Sequence, residues 1–299
     1  MSVLFPLLKR GSRWMVTIKG RSSHSVADYF HFQRAIVGSP ESINENFVKN
    51  SLRIDQPDKA IVIEKAKQEH SIYVSELRKL IPTIVEVPAD DRFPDQVYVE
   101  EPAVILNGVA LLTKMAPPSR AGEIEPMRKV LESMNLDIVE MKKPGAFLDG
   151  GDVLFTGREF FIGLSERTNE AGIEYLSKVF SGWPVTGVKV PKGTLHLKSV
   201  CSLAGVDILA ISNSPAGRQA WKDMESFGAH KYKQLIFPDD NGANCLFVNG
   251  VVLHPPKEEY PRSYEVWKTM KCPTVEIPNS ELAKSDGSLT CNSIRIFEI

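Results

Sequence analysis

What this chain lacks narrows it quickly. Only four cysteines are present, Cys201, Cys245, Cys272 and Cys291, with no CxxC pair and no zinc-ribbon spacing. That scatter argues against a disulfide framework and for reduced thiols, as in a cytoplasmic protein. No apolar run approaches the roughly 18 residues that a membrane-spanning helix requires. The formal net charge of −1 gives no electrostatic reason to bind nucleic acid or an anionic membrane. Walker-type, GxSxG and HExxH signatures are missing, which removes support for nucleotide, serine-hydrolase and zincin chemistry. His24, His31, His70, His230 and His254 show no metal-ligand spacing. No Gly/Ser linker or low-complexity tract divides the chain.

Acidic residues are also missing from the start. Lys9, Arg10, Arg13, Lys19 and Arg21 precede the first acid, Asp28. Such a composition occurs in mitochondrial transit peptides. Residues 1–30 are therefore read as an N-terminal extension, loose or targeting, ahead of a single catalytic domain over 31–299. The expected location is cytoplasmic, with the mitochondrion as the alternative that this extension suggests.

What the chain does contain is a weak internal repeat. An apolar residue followed by proline recurs at Val87-Pro88, Val190-Pro191, Phe237-Pro238 and Ile277-Pro278, with a looser version from Met141 to Pro144. Each of these stretches reads as the opening of a unit. Short strand candidates follow: "QVYVE", "AVIL" and "VALLT"; "DVLF" and "EFFIGLS"; "SVCSLA" and "DILAIS"; "NCLFV" and "VVLHP"; and "CNSIRIF". They are rich in Val, Ile and Phe and bounded by Gly, Asn or Asp turns. Helical patterns alternate with them over 57–80, 123–135, 168–180, 215–227 and 260–270. The last strand group has no helix of its own, and the first helix has only "FQRAIV" before it. A closed ring in which the N-terminal piece completes the last unit resolves both and hides strand edges. The expected fold is a single-domain α/β propeller of five pseudo-repeated units.

In such a ring, loops in equivalent phase meet near the axis. The first unit brings Asp95, Glu100 and Glu101, the second Asp149 and Asp152, the third His196 and the fifth Cys291. A Cys–His pair suits nucleophilic catalysis with proton shuttling. A carboxylate-rich site disfavours both an anionic substrate and a bare thiolate. A cationic substrate relieves both penalties, and a planar guanidinium fits paired carboxylates best.

The stretches "PADDRFPDQVYVEEPAVI", "FLDGGDVLFTGREFFIGLSERTNE", "LHLKSVCSLAG", "PDDNGANCLFVNGVVLH" and "DGSLTCNSI" closely resemble the dimethylarginine dimethylaminohydrolase family. That family belongs to the guanidine-modifying (pentein) superfamily of five-bladed α/β propellers, and the resemblance runs from about Arg34 onward. It implies hydrolysis of Nω-methylated arginines to citrulline and a methylamine, without metal or organic cofactor, and a part in nitric oxide regulation. By the same resemblance Cys291 is the nucleophile, His196 the general acid and then base, and Asp149 the residue that orients this region, with Asp152 close by. Asp95, Glu100 and Glu101 hold the guanidinium, while Arg120 and Arg167 clasp the substrate carboxylate. Ser285 and Asp286 touch the substrate from the loop before the nucleophile, and Leu52 matches a lid residue.

Three departures from the family pattern stand out. Glu100-Glu101 replaces a Glu-Asp pair, Ser285 replaces an apolar residue, and the lid region over 38–54 is longer. The Cys291 and His196 side chains together also suit an adventitious, inhibitory zinc ion. Two other readings remain open: an arginine deiminase-like reaction, and a family member that binds without catalysis. The sequence leaves the oligomeric state, monomer or homodimer, undetermined.

Overall fold

The computed structural model describes residues 8–10, 13–15, 25–51 and 60–296. Two short strands come first, β1 (Leu8–Arg10) and β2 (Arg13–Met15), followed by β3 (Arg34–Gly38), α1 (Glu45–Ser51), α2 (Ile63–Leu80) and β4 (Thr83–Val87). The first full unit is β5 (Ala103–Leu106), β6 (Val109–Leu112), α3 (Ile124–Ser133) and β7 (Asp137–Glu140). The second is β8 (Val153–Phe155), β9 (Phe160–Leu164), α4 (Glu170–Val179) and β10 (Val185–Lys189). The third is β11 (Cys201–Gly205), β12 (Ile208–Ser212), α5 (Pro215–Phe227) and β13 (Lys233–Phe237). The fourth is β14 (Leu246–Val248), β15 (Val251–His254), α6 (Pro261–Trp267) and β16 (Thr274–Glu276), and β17 (Ser293–Ile296) begins the fifth.

Each full unit repeats one pattern. Its first two strands form an antiparallel hairpin, and the helix then carries the chain across to a third strand parallel to the second. A parallel pair needs such a crossover, whereas a hairpin needs only a tight turn. Two of the hairpin turns are Asn-Gly pairs with both residues at positive φ, Asn107 (52°) with Gly108 (76°) and Asn249 (48°) with Gly250 (84°). That is the turn whose twist matches the flanking strands. Helix starts are equally local: Asn169 accepts from Gly172 N at the head of α4, and Ser214 accepts from Gly217 N ahead of Pro215 in α5.

The fifth unit is assembled from both ends of the described chain. β17 pairs antiparallel with β3, Ile294 opposite Ile36, and β3 pairs parallel with β4. The five small sheets thus close the ring that the sequence pattern predicts. The five-bladed α/β propeller is the observed fold.

Several local expectations need correction. The recurring apolar-Pro pair closes a unit instead of opening one: Val87 and Phe237 are the last residues of β4 and β13. Proline cannot donate to a ladder and holds the residue before it extended, so it suits a strand end. "QVYVE" is a run of tight turns, in which Gln96 N donates to Phe93 O and Tyr98 N to Asp95 O. Helix α1 had no counterpart in the sequence reading. The N-terminal extension is not wholly loose, since β1 and β2 form a hairpin that adds to the outer edge of β10.

Candidate active site

The loop leading into each unit's first strand carries the side chains that meet at the axis. Asp149 precedes the 3-10 turn Gly150–Asp152, His196 precedes Leu197–Ser199, and Cys291 sits within Leu289–Asn292, just ahead of β17. The glycines of "LDGGD" are required by crowding. A Cβ on Gly150 would lie 1.9 Å from the Glu100 carbonyl oxygen, and one on Gly151 would lie 2.5 Å from His196 Nδ1. Only glycine lets these backbones approach so closely.

His196 Nε2 lies 3.1 Å from Asp149 Oδ2 and 4.0 Å from Glu101 Oε2. Glu101 Oε2 also accepts from Gly151 N at 2.6 Å, which locks its carboxylate against the acid–base pair. Burial works against a charged His196, but Glu101, Asp149 and Asp152 outweigh it and raise the imidazole to about 9. At neutral pH His196 is therefore an imidazolium, donating to Asp149. Burial drives the Cys291 thiol far above its ordinary range, and Glu101 and Glu100 push it further. The free enzyme thus holds a protonated thiol beside a protonated histidine, within a frame of carboxylates.

A cavity of about 230 Å³ opens onto this centre. It brings together Cys291, His196, Glu101, Asp95, Arg120, Arg167, Ser285 and Asp286 among the expected residues. Asp149 and Asp152 are fully buried behind it. Asp152 does not reach substrate: Oδ1 accepts from Leu197 N at 2.8 Å and Oδ2 from the Ser165 hydroxyl at 2.6 Å. It fixes the His196 loop instead. Burial raises Asp152 to about 6, against the lowering effect of His196. Leu52 lies outside the described residues.

The two arginines differ. Arg120 is buried and chelated by Glu123 through Nε (2.8 Å) and Nη2 (2.7 Å), and Nη2 also reaches the Tyr98 and Asp95 carbonyls. It lines the cavity as a buried guanidinium braced by Glu123. Arg167 lines the cavity partly exposed, with no side-chain partner among the described residues. Ser285, in place of an apolar residue, hydrogen-bonds the Tyr98 hydroxyl and the Leu282 carbonyl. Asp286 takes a left-handed conformation (φ 63°) that turns the loop into the cavity. Asp95 Oδ1 accepts from Asn50 Nδ2 at 2.8 Å, which ties the end of α1 to the cavity wall.

Glu100 also departs from expectation. It lines a second cavity, with Lys198 Nζ holding its Oε1 at 2.5 Å, yet a carboxylate oxygen stays within 4.8 Å of Cys291 Sγ and of Glu101. Burial raises Glu100 to about 6, with Lys198 opposing. Lys198, the lysine of "LHLKS", was passed over by sequence reasoning. A lone lysine between Leu197 and Ser199, two places after His196, was the available signal, because a buried ammonium demands a counter-charge. For a metal, two donor groups exist among the described residues, Glu100 with Glu101 and Cys291, and Glu101 with Asp149 and His196. The zinc expected between Cys291 and His196 meets two separate groups that share Glu101.

Fold and centre together define a cysteine-dependent hydrolase on a five-bladed α/β propeller. The eukaryotic N,N dimethylarginine dimethylhydrolase family matches residues 34–214. The DDAH2 proteins of Bos taurus and Homo sapiens are each 35% identical over 240 residues, covering 77% of this chain and 84% of theirs. The N(G),N(G)-dimethylarginine dimethylaminohydrolase of Pseudomonas aeruginosa is 28% identical over 247 residues, 82% of this chain and 92% of that one. The structure of DDAH from Pseudomonas aeruginosa, a cysteine-to-serine mutant complexed with citrulline, superposes with a TM-score of 0.75 at 25% identity, covering 89% of this chain and all of that one. The chain belongs to the dimethylarginine dimethylaminohydrolase family.

Proposed function

We propose that this protein hydrolyses Nω-methylated arginines, asymmetric dimethylarginine or monomethylarginine, to citrulline and the corresponding methylamine. The observation that carries this reading is the charge state of the cavity. Burial, reinforced by Glu101 and Glu100, keeps Cys291 protonated, while Glu101, Asp149 and Asp152 keep His196 charged against its own burial. An entering guanidinium supplies the missing positive charge at Glu101 and Asp95, and the thiol can then ionise, its proton passing to solvent through the open cavity because His196 already carries one.

The thiolate attacks the guanidinium carbon, forming a C–S bond and a tetrahedral adduct. The C–N bond to the methylated nitrogen breaks as the His196 imidazolium delivers a proton to that nitrogen, and the amine leaves. A covalent thiouronium remains on Cys291. Neutral His196 then takes a proton from water, whose oxygen adds to the same carbon. Collapse of this second adduct breaks the C–S bond, returns the Cys291 sulfur and releases citrulline. The substrate α-carboxylate would pair with Arg167 and Arg120, a reading supported by both guanidinium groups lining the cavity. In support, structures of family members hold citrulline or an adduct with S-methyl-L-thiocitrulline. A role in nitric oxide regulation and a cytoplasmic location, or a mitochondrial one through the basic N-terminus, belong to the same proposal and rest on the family and on composition.

The test is citrulline formation from asymmetric dimethylarginine by the purified chain, with Cys291→Ser beside it. The substitution should lower turnover by more than about 10³-fold. Wild-type turnover in the mutant would overturn the assignment. Faster citrulline formation from unmethylated arginine would move the protein to the deiminase reaction.

A further inference from the structure

Four of the five units place a titratable side chain at the axis, and the fourth does not. At the same phase it offers Asn244, directly after the 3-10 turn Asn241–Ala243 and almost wholly buried. Its amide is used in full. Nδ2 donates to the Lys198 carbonyl (2.9 Å) and to the Thr290 hydroxyl (3.1 Å), and Oδ1 accepts from Thr290 N (3.1 Å). A carbonyl partner on one side and an N–H partner on the other fix which end of the amide is which.

Those partners flank the chemistry. Lys198 follows His196 by two residues, and Thr290 immediately precedes Cys291. The Cys291 carbonyl accepts from Glu100 N at 3.2 Å, and Cys291 N donates to Ser288 O at 3.1 Å. The nucleophile's backbone is thus clamped between the first unit and the fourth. The third unit, which carries the acid, hangs on the same Asn244 amide.

We infer that Asn244 is a positioning residue that sets the register between the Cys291 thiol and the His196 acid. The inference rests on the roles given above to Cys291 and His196. No direct hydrogen bond among the described residues joins the third unit's His196 turn to the fifth unit's Cys291 turn; of the two bridges between them, Glu100 takes only the Lys198 side chain, whereas Asn244 holds the backbone of both turns at Lys198 O and Thr290 N. A displacement of about 1 Å at a reacting group is worth around a hundredfold in rate. Loss of this one amide should therefore appear in the chemical step and not in substrate binding.

The experiment compares the full chain with Asn244→Ala and Thr290→Val. In Asn244→Ala, kcat should fall about 30- to 100-fold while KM stays within about threefold. Thr290→Val, isosteric and missing only the hydroxyl contact, should lose kcat by about three- to tenfold. A folded Asn244→Ala with kcat near wild type, or a loss expressed in KM alone, overturns the inference. If Asn244→Ala fails to fold, Thr290→Val decides in the same way. Alkylation of Cys291 by iodoacetamide, followed by mass against pH, reads the thiol without turnover. Its profile should differ from wild type in either variant, because the Cys291 turn then shifts against the carboxylates around it, and superimposable profiles also overturn the inference. If the wild type makes no citrulline, the proposed reaction fails, and this profile still judges Asn244.

Discussion

Glu100 and Glu101 are neighbours in the chain and live in different surroundings. Glu101 faces the cavity of Cys291 and His196, among groups that exchange protons and meet solvent. Glu100 faces a second cavity of about 130 Å³, enclosed by the first strands of several units and by Tyr29, Phe30 and Phe32. There its only charged hydrogen-bond partner among the described residues is Lys198, and Oε2 has no hydrogen bond. Loops at the mouth tolerate polar side chains because water and substrate can satisfy them. The strand-lined interior tolerates a carboxylate only when a cation is buried with it. One peptide bond separates the two regimes, and the Lys198–Glu100 pair is the partition.

The sharpest way to break the partition is Lys198→Met. It removes the cation hydrogen-bonded to Glu100, leaving only the field of Arg295 to oppose its burial, and should cost about 3–5 kcal/mol of stability, seen as a large fall in thermal midpoint. Adding Glu100→Gln should recover much of that loss, and no recovery would mean that Lys198 acts through packing. A smaller effect tests the mouth. His196 is raised to about 9, so its acid form is present below that pH and lost above it. Amine departure should then slow by about tenfold per pH unit above the His196 value in the substrate complex, which a cation bound at Glu101 holds at or below that of the free enzyme, measured as kcat on dimethylarginine. A rate that stays flat to pH 10.5 would place the proton donor elsewhere. The smallest effect belongs to the closed side. Phe30→Leu should cost about 1 kcal/mol and leave kcat unchanged, and a tenfold fall in kcat would show that the two cavities are not insulated.

Much of this arrangement was legible in the sequence, and the failures are instructive. The hairpins "AVIL" with "VALLT" and "DVLF" with "EFFIGLS" announced themselves through β-branched and aromatic residues around Gly turns. The closing strand of each unit did not. "DIVE", "KQLIF" and "TVE" are short and are followed within four residues by a proline, and their half-exposed edges carry charge. Such outer strands owe their structure to the neighbour they pair with, not to their own pattern. "QVYVE" failed in the opposite sense: its alternation is that of a strand, but Val97, Val99, Glu100 and Glu101 are all buried by a doubly turned backbone. In the site, motif and phase located Cys291, His196, Asp149 and Glu101. Partner choice was not readable, because the pairing of Arg120 with Glu123 and of Lys198 with Glu100 depends on which side chains the ring brings face to face. Asn244 was hidden by a search confined to titratable groups.

Ring closure also sets a timetable. β3 is made early, yet its antiparallel partner β17 emerges some 260 residues later, with Cys291 only two residues ahead of that strand. During synthesis the β3 edge waits, and the loop to be closed is nearly the whole protein, so the final pairing is slow relative to the local hairpins. The nucleophile reaches the ribosome exit with the segment that completes the circle. A nascent or interrupted chain therefore carries the carboxylates and the imidazole but no thiol to use them, and reactivity arises only once the architecture that restrains it is in place.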